Sequence, residues 1–192
     1  MKVLGITGNS GAGKSTCCQI LNRHGGEIIS ADKIGHLALK KGTEVYENLI
    51  CKYDILDSNN EINRKKLGKI VFNNKKDLEY LNSLSHKFIY NEIKRIIKNT
   101  NVNFFVIDAA LLYEIGLDCF CDEIWLIEAK REEKLRRISQ RDNIDKEAAE
   151  KRLNSQRNFT NIWTIHCTIR NNGNLQNFEE EIEKSLKKFL FK

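Results

Sequence analysis

Apolar and polar positions follow two different periods along the chain. Lys2–Thr7 is a short apolar run that gives way to glycine, the pattern of a buried strand. Lys14–Arg23 shifts to helical spacing, with Cys17, Ile20 and Leu21 on one face, and His24-Gly25-Gly26 stops it. Positions 27–30 supply a second strand, 104–107 and 124–127 two more, and 165–169 a short last one ended by Asn171-Asn172-Gly173. Between the second and third strands, positions 33 to about 101 carry mostly helical spacing with no clear strand. Arg131–Asp142 predicts a charged helix whose only large apolar residues are Leu135 and Ile138, and a second polar helix spans 145 to about 156. The last helix is amphipathic, with Phe178, Ile182, Leu186 and Phe189 or Leu190 on its apolar stripe.

Strands separated by helices predict an α/β fold with a five-stranded parallel sheet and helices on both faces. The helical block after the second strand is too long for a simple crossover. It predicts a separate mostly helical domain at 33–101, beside a core formed by 1–32 and 102–192 with a helical lid at about 129–156. Composition narrows the class. The 192 residues are 41% apolar and 30% charged, which excludes disorder as the main state. No apolar run approaches the roughly 20 residues that span a bilayer. Gly5, Gly8 and Lys14 interrupt the N-terminal stretch, so it does not read as a signal peptide, and a cytoplasmic protein is expected. A net charge of +6 suits an anionic ligand such as a nucleotide, but it lacks the clustered stripe of a nucleic-acid binder. The six cysteines include no CxxC pair, and Cys119, Cys121, His166 and Cys167 match no common zinc spacing. Reduced thiols are expected.

The firmest chemical signal is Gly8-Asn9-Ser10-Gly11-Ala12-Gly13-Lys14-Ser15, which fits GxxxxGK[ST] between a predicted strand and a predicted helix. Glycines let backbone N–H groups turn inward around phosphate oxygens, and the helix start adds partial positive charge. Lys14 is placed to reach the β- and γ-phosphates, Ser15 to ligate Mg²⁺, and Thr16 to touch the α-phosphate. The fold is therefore expected to be of the P-loop NTPase type, with ATP and Mg²⁺ as ligands.

The second strand runs into Asp32, at the end of the sheet where ligands bind in open α/β folds. Asp32 is thus a candidate base for an attacking hydroxyl, or a holder of Mg²⁺ through water, with a plain helix N-cap as the alternative. Arg137 and Arg141 are four apart and share a helix face away from Leu135 and Ile138, the placement of lid guanidinium groups that neutralise phosphate charge. Asp32-Lys33-Ile34-Gly35 and Asn74-Lys75-Lys76-Asp77 also spell the DxxG and NKxD of a GTPase. Asn74, however, lies inside the helical block rather than after a buried strand, which argues against guanine reading.

These residues resemble the dephospho-CoA kinase family along nearly the whole chain. LGITGNSGAGKST resembles its phosphate loop, and His24 to Asp32 its second strand ending in Asp. Glu61 to Leu67 with Val71-Phe72, Leu84-Ser85-His86, Asp108 to Glu114, Gln140-Arg141-Asp142 and Arg152 to Gln156 resemble further segments in the family's order. The resemblance implies transfer of the ATP γ-phosphate to the ribose 3′-hydroxyl of dephospho-CoA. It implies that Asn171, Asn172 and Gly173 lie near adenine, and that Arg64, His86, Leu111, Leu112 and Glu114 serve the acceptor. No membrane, nucleic acid or obligate protein partner is implied. Lys87 and Ala110 stand where the family has proline, in a chain with none, and His166 and Arg170 stand where aspartates are expected near the last strand. Another small-molecule kinase, a GTPase and a non-catalytic nucleotide-binding module are the alternatives to be separated.

Overall fold

The computed structural model describes residues 1–156 and 164–191, in two compact units. The first comprises Met1–Ile29, Asn101–Tyr113 and Leu117 onward. Its centre is a parallel sheet of five strands, β1 (Lys2–Thr7), β2 (Gly26–Ser30), β3 (Phe104–Asp108), β4 (Glu123–Glu128) and β5 (Cys167–Arg170), in the order β2-β3-β1-β4-β5. Leu4 is registered with Val106 on one side and Glu123 on the other. The near-continuous apolar runs follow from burial on both faces: every residue of β1 after Lys2 is buried. Helix α1 (Lys14–Arg23) and the C-terminal helix α8 (Leu175–Phe191) share a core with the sheet. Phe178, Ile182, Leu186 and Phe189 form the buried stripe of α8, while Leu190 is left 39% exposed. The Phe189 ring meets Phe104 and Trp125 edge-on, both at 6.3 Å between centroids.

Helices α6 (Arg131–Asp142) and α7 (Lys146–Asn154) carry a small cluster of their own, Leu135, Ile138, Ala149 and Leu153. Asn143 ends α6 in the left-handed region, and Asp145 caps α7 by accepting the Ala148 N–H at 2.7 Å.

The second unit holds Ser30–Thr100 with Glu114–Gly116. It is built from α2 (Ala31–Ala38), α3 (Glu44–Lys52), α4 (Arg64–Asn73) and α5 (Lys75–Asn99), and one isolated bridge, Leu56 to Ile62, is the only strand pairing among its described residues. Val45, Tyr46, Leu49, Ile55, Leu67 and Val71 form its core. The NKxD look-alike has a structural role here. Asn74 caps α5 by accepting the Lys76 N–H at 2.9 Å, and Asp77 takes the Tyr53 hydroxyl at 2.6 Å and pairs with Lys52 at 3.1 Å.

Candidate active site

The phosphate loop leaves β1 and enters α1 through glycines that no other residue type replaces without strain. Gly8 has φ +142°, and a side chain there would run into the Ile127 carbonyl of β4. Gly13 has φ +108°, and a side chain would strike the amide of Asn171. Gly13 is also the N-cap of α1, and no side chain caps the helix in its place. The first intrahelical bond runs from Cys17 N to the Gly13 carbonyl at 3.0 Å, so the N–H groups of Lys14, Ser15 and Thr16 precede it. The first turn carries no acidic residue. Uncapped N–H groups, positive dipole and Lys14 together make a site for an anion. The Lys14 ammonium donates to the Gly8 carbonyl at 2.6 Å, folded back over its own loop.

Four side chains from the lid and from the turn after β5 brace the loop from outside. Arg137 donates to the Gly11 carbonyl at 3.2 Å and to the Asn171 side chain at 3.1 Å. Asn171, only 7% exposed, returns a bond from its amide to the Ala12 carbonyl at 3.0 Å. Arg141 donates to the Ser10 hydroxyl at 3.1 Å, and the Gln156 side-chain oxygen accepts the Ser10 N–H at 2.7 Å. Asp142 holds this arrangement by accepting from Arg141 at 2.8 Å and from Arg152 at 2.6 Å. The Arg141 guanidinium keeps its carboxyl below the usual aspartate range. The two arginines predicted to share a face therefore both reach the loop, although Arg137 spends its donors on loop and turn carbonyls. Asn172 accepts the Lys130 N–H at 3.3 Å, and Gly173 turns the chain at φ +105°.

Asp108 ends β3 beside Ile6 of β1, and its charge helps push up the pKa of both Cys17 and Cys18. It therefore lies near the start of α1. Burial is the larger cause for those two thiols, and it also raises Cys121, to about 12, so none of the three is a ready nucleophile. Among the described residues no group of three or more His, Cys, Asp or Glu is placed to hold a metal, so the cysteine–histidine set stays unassembled.

In the second unit, Asp32 is the second residue of α2 and exposed. The cap is Ser30, which accepts the Lys33 N–H at 3.4 Å, so the N-cap alternative for Asp32 is corrected. His86 is half-buried and lies against Glu114, which joins two of the residues expected at the acceptor. Burial lowers the His86 pKa, and the Glu114 carboxylate pulls it back up. Arg64 opens α4 and is exposed.

One expectation changes: Leu112 is fully buried in the first unit, where it fills the space beside Gly5, while its neighbour Leu111 is 47% exposed. His166 precedes β5 at the end opposite the phosphate loop, where it exchanges bonds with Ile124, so it is remote from the turn at Asn171 to Gly173. Arg170 does adjoin that turn, with its N–H on Glu181 at 3.4 Å. Sequence reasoning missed Asn171 as a loop brace, along with Asp142 and Asp108. For Asp108 the available signal was an acid closing a buried strand.

The dephospho-CoA kinase family model (CoaE) matches residues 2–177 of the chain. A dephospho-CoA kinase from Fusobacterium nucleatum is 37% identical over 185 residues, covering 95% of each protein. The structure of the dephospho-CoA kinase from Campylobacter jejuni superposes with a TM-score of 0.70 at 32% identity, covering 98% of this chain and 97% of that one. The Thermus thermophilus protein TT1252 shares the fold with a TM-score of 0.81 at 24% identity, covering 98% of this chain and 96% of its own.

Proposed function

The chain belongs to the dephospho-CoA kinase family, which phosphorylates dephospho-CoA using ATP, and we propose the following division of labour among its residues. The observation that carries it is the uncapped first turn of α1 inside the Gly8–Ser15 loop, with Lys14 and Arg141 converging there.

ATP enters with its phosphates over the N–H groups of Lys14, Ser15 and Thr16. Lys14 exchanges its loop carbonyls for β- and γ-phosphate oxygens, and Arg141 turns its guanidinium from Ser10 to the transferring group. Arg137 keeps the loop in shape through Gly11 and Asn171. Asn172 and Gly173 border the adenine. Asp32 accepts the proton of the ribose 3′-hydroxyl as its oxygen bonds to the γ-phosphorus and the bond to the β-phosphate oxygen breaks, releasing ADP. Asp32 suits this role because it follows the last residue of β2 by two positions and takes no partner among the described residues.

The donor set fits Mg²⁺, a cation that prefers oxygen ligands. The exposed Ser15 hydroxyl and the Asp108 carboxylate would hold it, directly or through water. When bound, the ion neutralises charge on the β- and γ-phosphates. The second unit serves the acceptor through Arg64, His86 and Glu114. No described helix is long and apolar enough to cross a membrane.

A coupled ADP-release assay with ATP and Mg²⁺ tests the reading, run with dephospho-CoA beside adenosine and AMP. ADP release that requires dephospho-CoA and yields coenzyme A supports it. Release with only another acceptor overturns the substrate, and preference for GTP overturns the nucleotide.

A further inference from the structure

Leaving aromatic and cysteine side chains aside, Thr7 and Asn171 are the only buried polar residues among those described, and both adjoin the phosphate loop. Asn171 is engaged at both ends of its amide, donating to the Ala12 carbonyl at 3.0 Å and accepting from Arg137 at 3.1 Å. Thr7 is the opposite case. It closes β1, is 0% exposed, and its hydroxyl has no hydrogen-bond partner among the described residues. A buried hydroxyl without a partner has given up water for nothing, which disfavours the folded state. Valine has the same branched shape and an equal liking for strands, and it carries no such cost.

Strand register explains why the hydroxyl is isolated. Side chains alternate along β1, so Thr7 lies on the face of Gly5 and opposite to Ile6. Ile6 belongs to the core shared with α1 and α8, whereas a side chain at Gly5 would meet Leu112 and the Cys121 sulfur. Asp108 is registered with Ile6 and so lies on that face, turned away from Thr7. Leu126, the residue of β4 registered with Thr7, has an apolar side chain. Just along the chain, two carbonyls are in the converse position. The Lys14 ammonium donates to that of Gly8 at 2.6 Å and to that of Asn9 at 3.5 Å.

We propose that Thr7 is a positioning residue whose hydroxyl donates to a loop carbonyl, that of Gly8 or Asn9, once Lys14 leaves them for the ATP phosphates. The inference rests on the proposed binding of ATP at this loop. In the arrangement seen here Lys14 holds the carbonyls and the Thr7 hydroxyl is idle. After the exchange the carbonyls need a donor, and the strand end has one to give within two residues of chain. The same side chain therefore weighs against one state of the loop and in favour of the other. ATP binding gains the difference. The hydroxyl itself touches neither nucleotide nor acceptor.

Thr7→Val removes the hydroxyl and keeps the shape. Measured without ATP, its melting temperature should rise by about 2–4 °C. Its ATP dissociation constant, from titration calorimetry, should rise about tenfold, since a hydrogen bond is lost and a penalty is no longer relieved. Thr7→Ser keeps the hydroxyl and should hold ATP affinity within about twofold of wild type. The sharpest measurement is made in Lys14→Ala, where the carbonyls are released without any nucleotide. There Thr7→Val should lower the melting temperature, a reversal of sign that a side chain serving only to pack would not show. The proposal is overturned if Thr7→Val destabilises the protein that retains Lys14, because the hydroxyl is then already paired. It is also overturned if the effect has the same sign in both backgrounds, or if Thr7→Ser binds ATP as poorly as Thr7→Val. Wild-type protein that binds ATP, matched by Thr7→Val in affinity and melting temperature, removes this inference alone. Wild-type protein that binds no ATP removes the nucleotide reading and this inference with it.

Discussion

The Gln156 side-chain oxygen accepts the backbone N–H of Ser10 at 2.7 Å, across 146 positions of chain. The bond ties the residues just beyond α7 to the tip of the phosphate loop, and Arg141 binds the hydroxyl of the same serine. Replacing Gln156 by Ala removes the acceptor and leaves the Ser10 N–H to water. A net hydrogen bond is worth about 1 kcal/mol, so KM for ATP should rise about fivefold with a smaller change in kcat. An unchanged ATP KM would show that the loop keeps its shape without this tether.

Asp142 acts through Arg141 and Arg152, so its substitution should read out as loss of positioning. Asp142→Asn keeps the shape and removes the charge that both guanidinium groups share. We expect kcat to fall about tenfold, with little loss of melting temperature because both guanidinium partners are about half exposed to water. The folded pKa of Asp142 is lowered, so its ion pairs persist above the ordinary value of 3.8 and are lost as pH falls through the folded value. A wild-type kcat in Asp142→Asn would remove the residue from the lid's function.

How far hydropathy reaches is visible in particular residues. The bounds of α1 and α6 were legible because periodic apolar residues and clear stop signals coincide there. The start of β5 was not, since the segment entering it is held by the His166 ring nitrogen accepting the Ile124 N–H, a side chain standing in for a ladder carbonyl. Leu111 and Leu112 look alike in sequence. Only the space left by Gly5, which Leu112 fills, decides which one is buried. Ser30 and Asp32 both had the chemistry of a cap, and the extended backbone of Ser30 decided between them. The phosphate loop was legible because its residues are contiguous. Its braces at Gln156, Asp142 and Asn171 were not, because their partners are set by folding across long stretches of chain.

His86 provides a pH-dependent signature for the second unit. Burial lowers its pKa in the folded protein below the ordinary 6.5, more strongly than Glu114 raises it. Between those two values the unfolded chain binds more protons than the folded one, so stability rises with pH across that window. Acidification from about pH 7 to about pH 5.5 should therefore lower the melting temperature, and His86→Gln should flatten that part of the profile. A slope that survives in His86→Gln must come from other groups.

Asp32 is where the structural and catalytic readings part most sharply. Ser30 caps α2, and Asp32 is exposed without a partner among the described residues, so the fold gains little from its carboxylate. Asp32→Asn conserves shape and polarity and removes only the ability to take a proton. If Asp32 is the base, kcat should drop by about 10²- to 10⁴-fold. The affinity for ATP, measured by titration calorimetry, should stay within about twofold, and the melting temperature should fall only slightly. The dipole at the start of α2 costs asparagine a little stability in either case, so a carboxylate that serves only the helix is marked by unchanged turnover. These outcomes do not overlap, so one variant measured three ways decides whether the carboxylate serves the chemistry or only the helix.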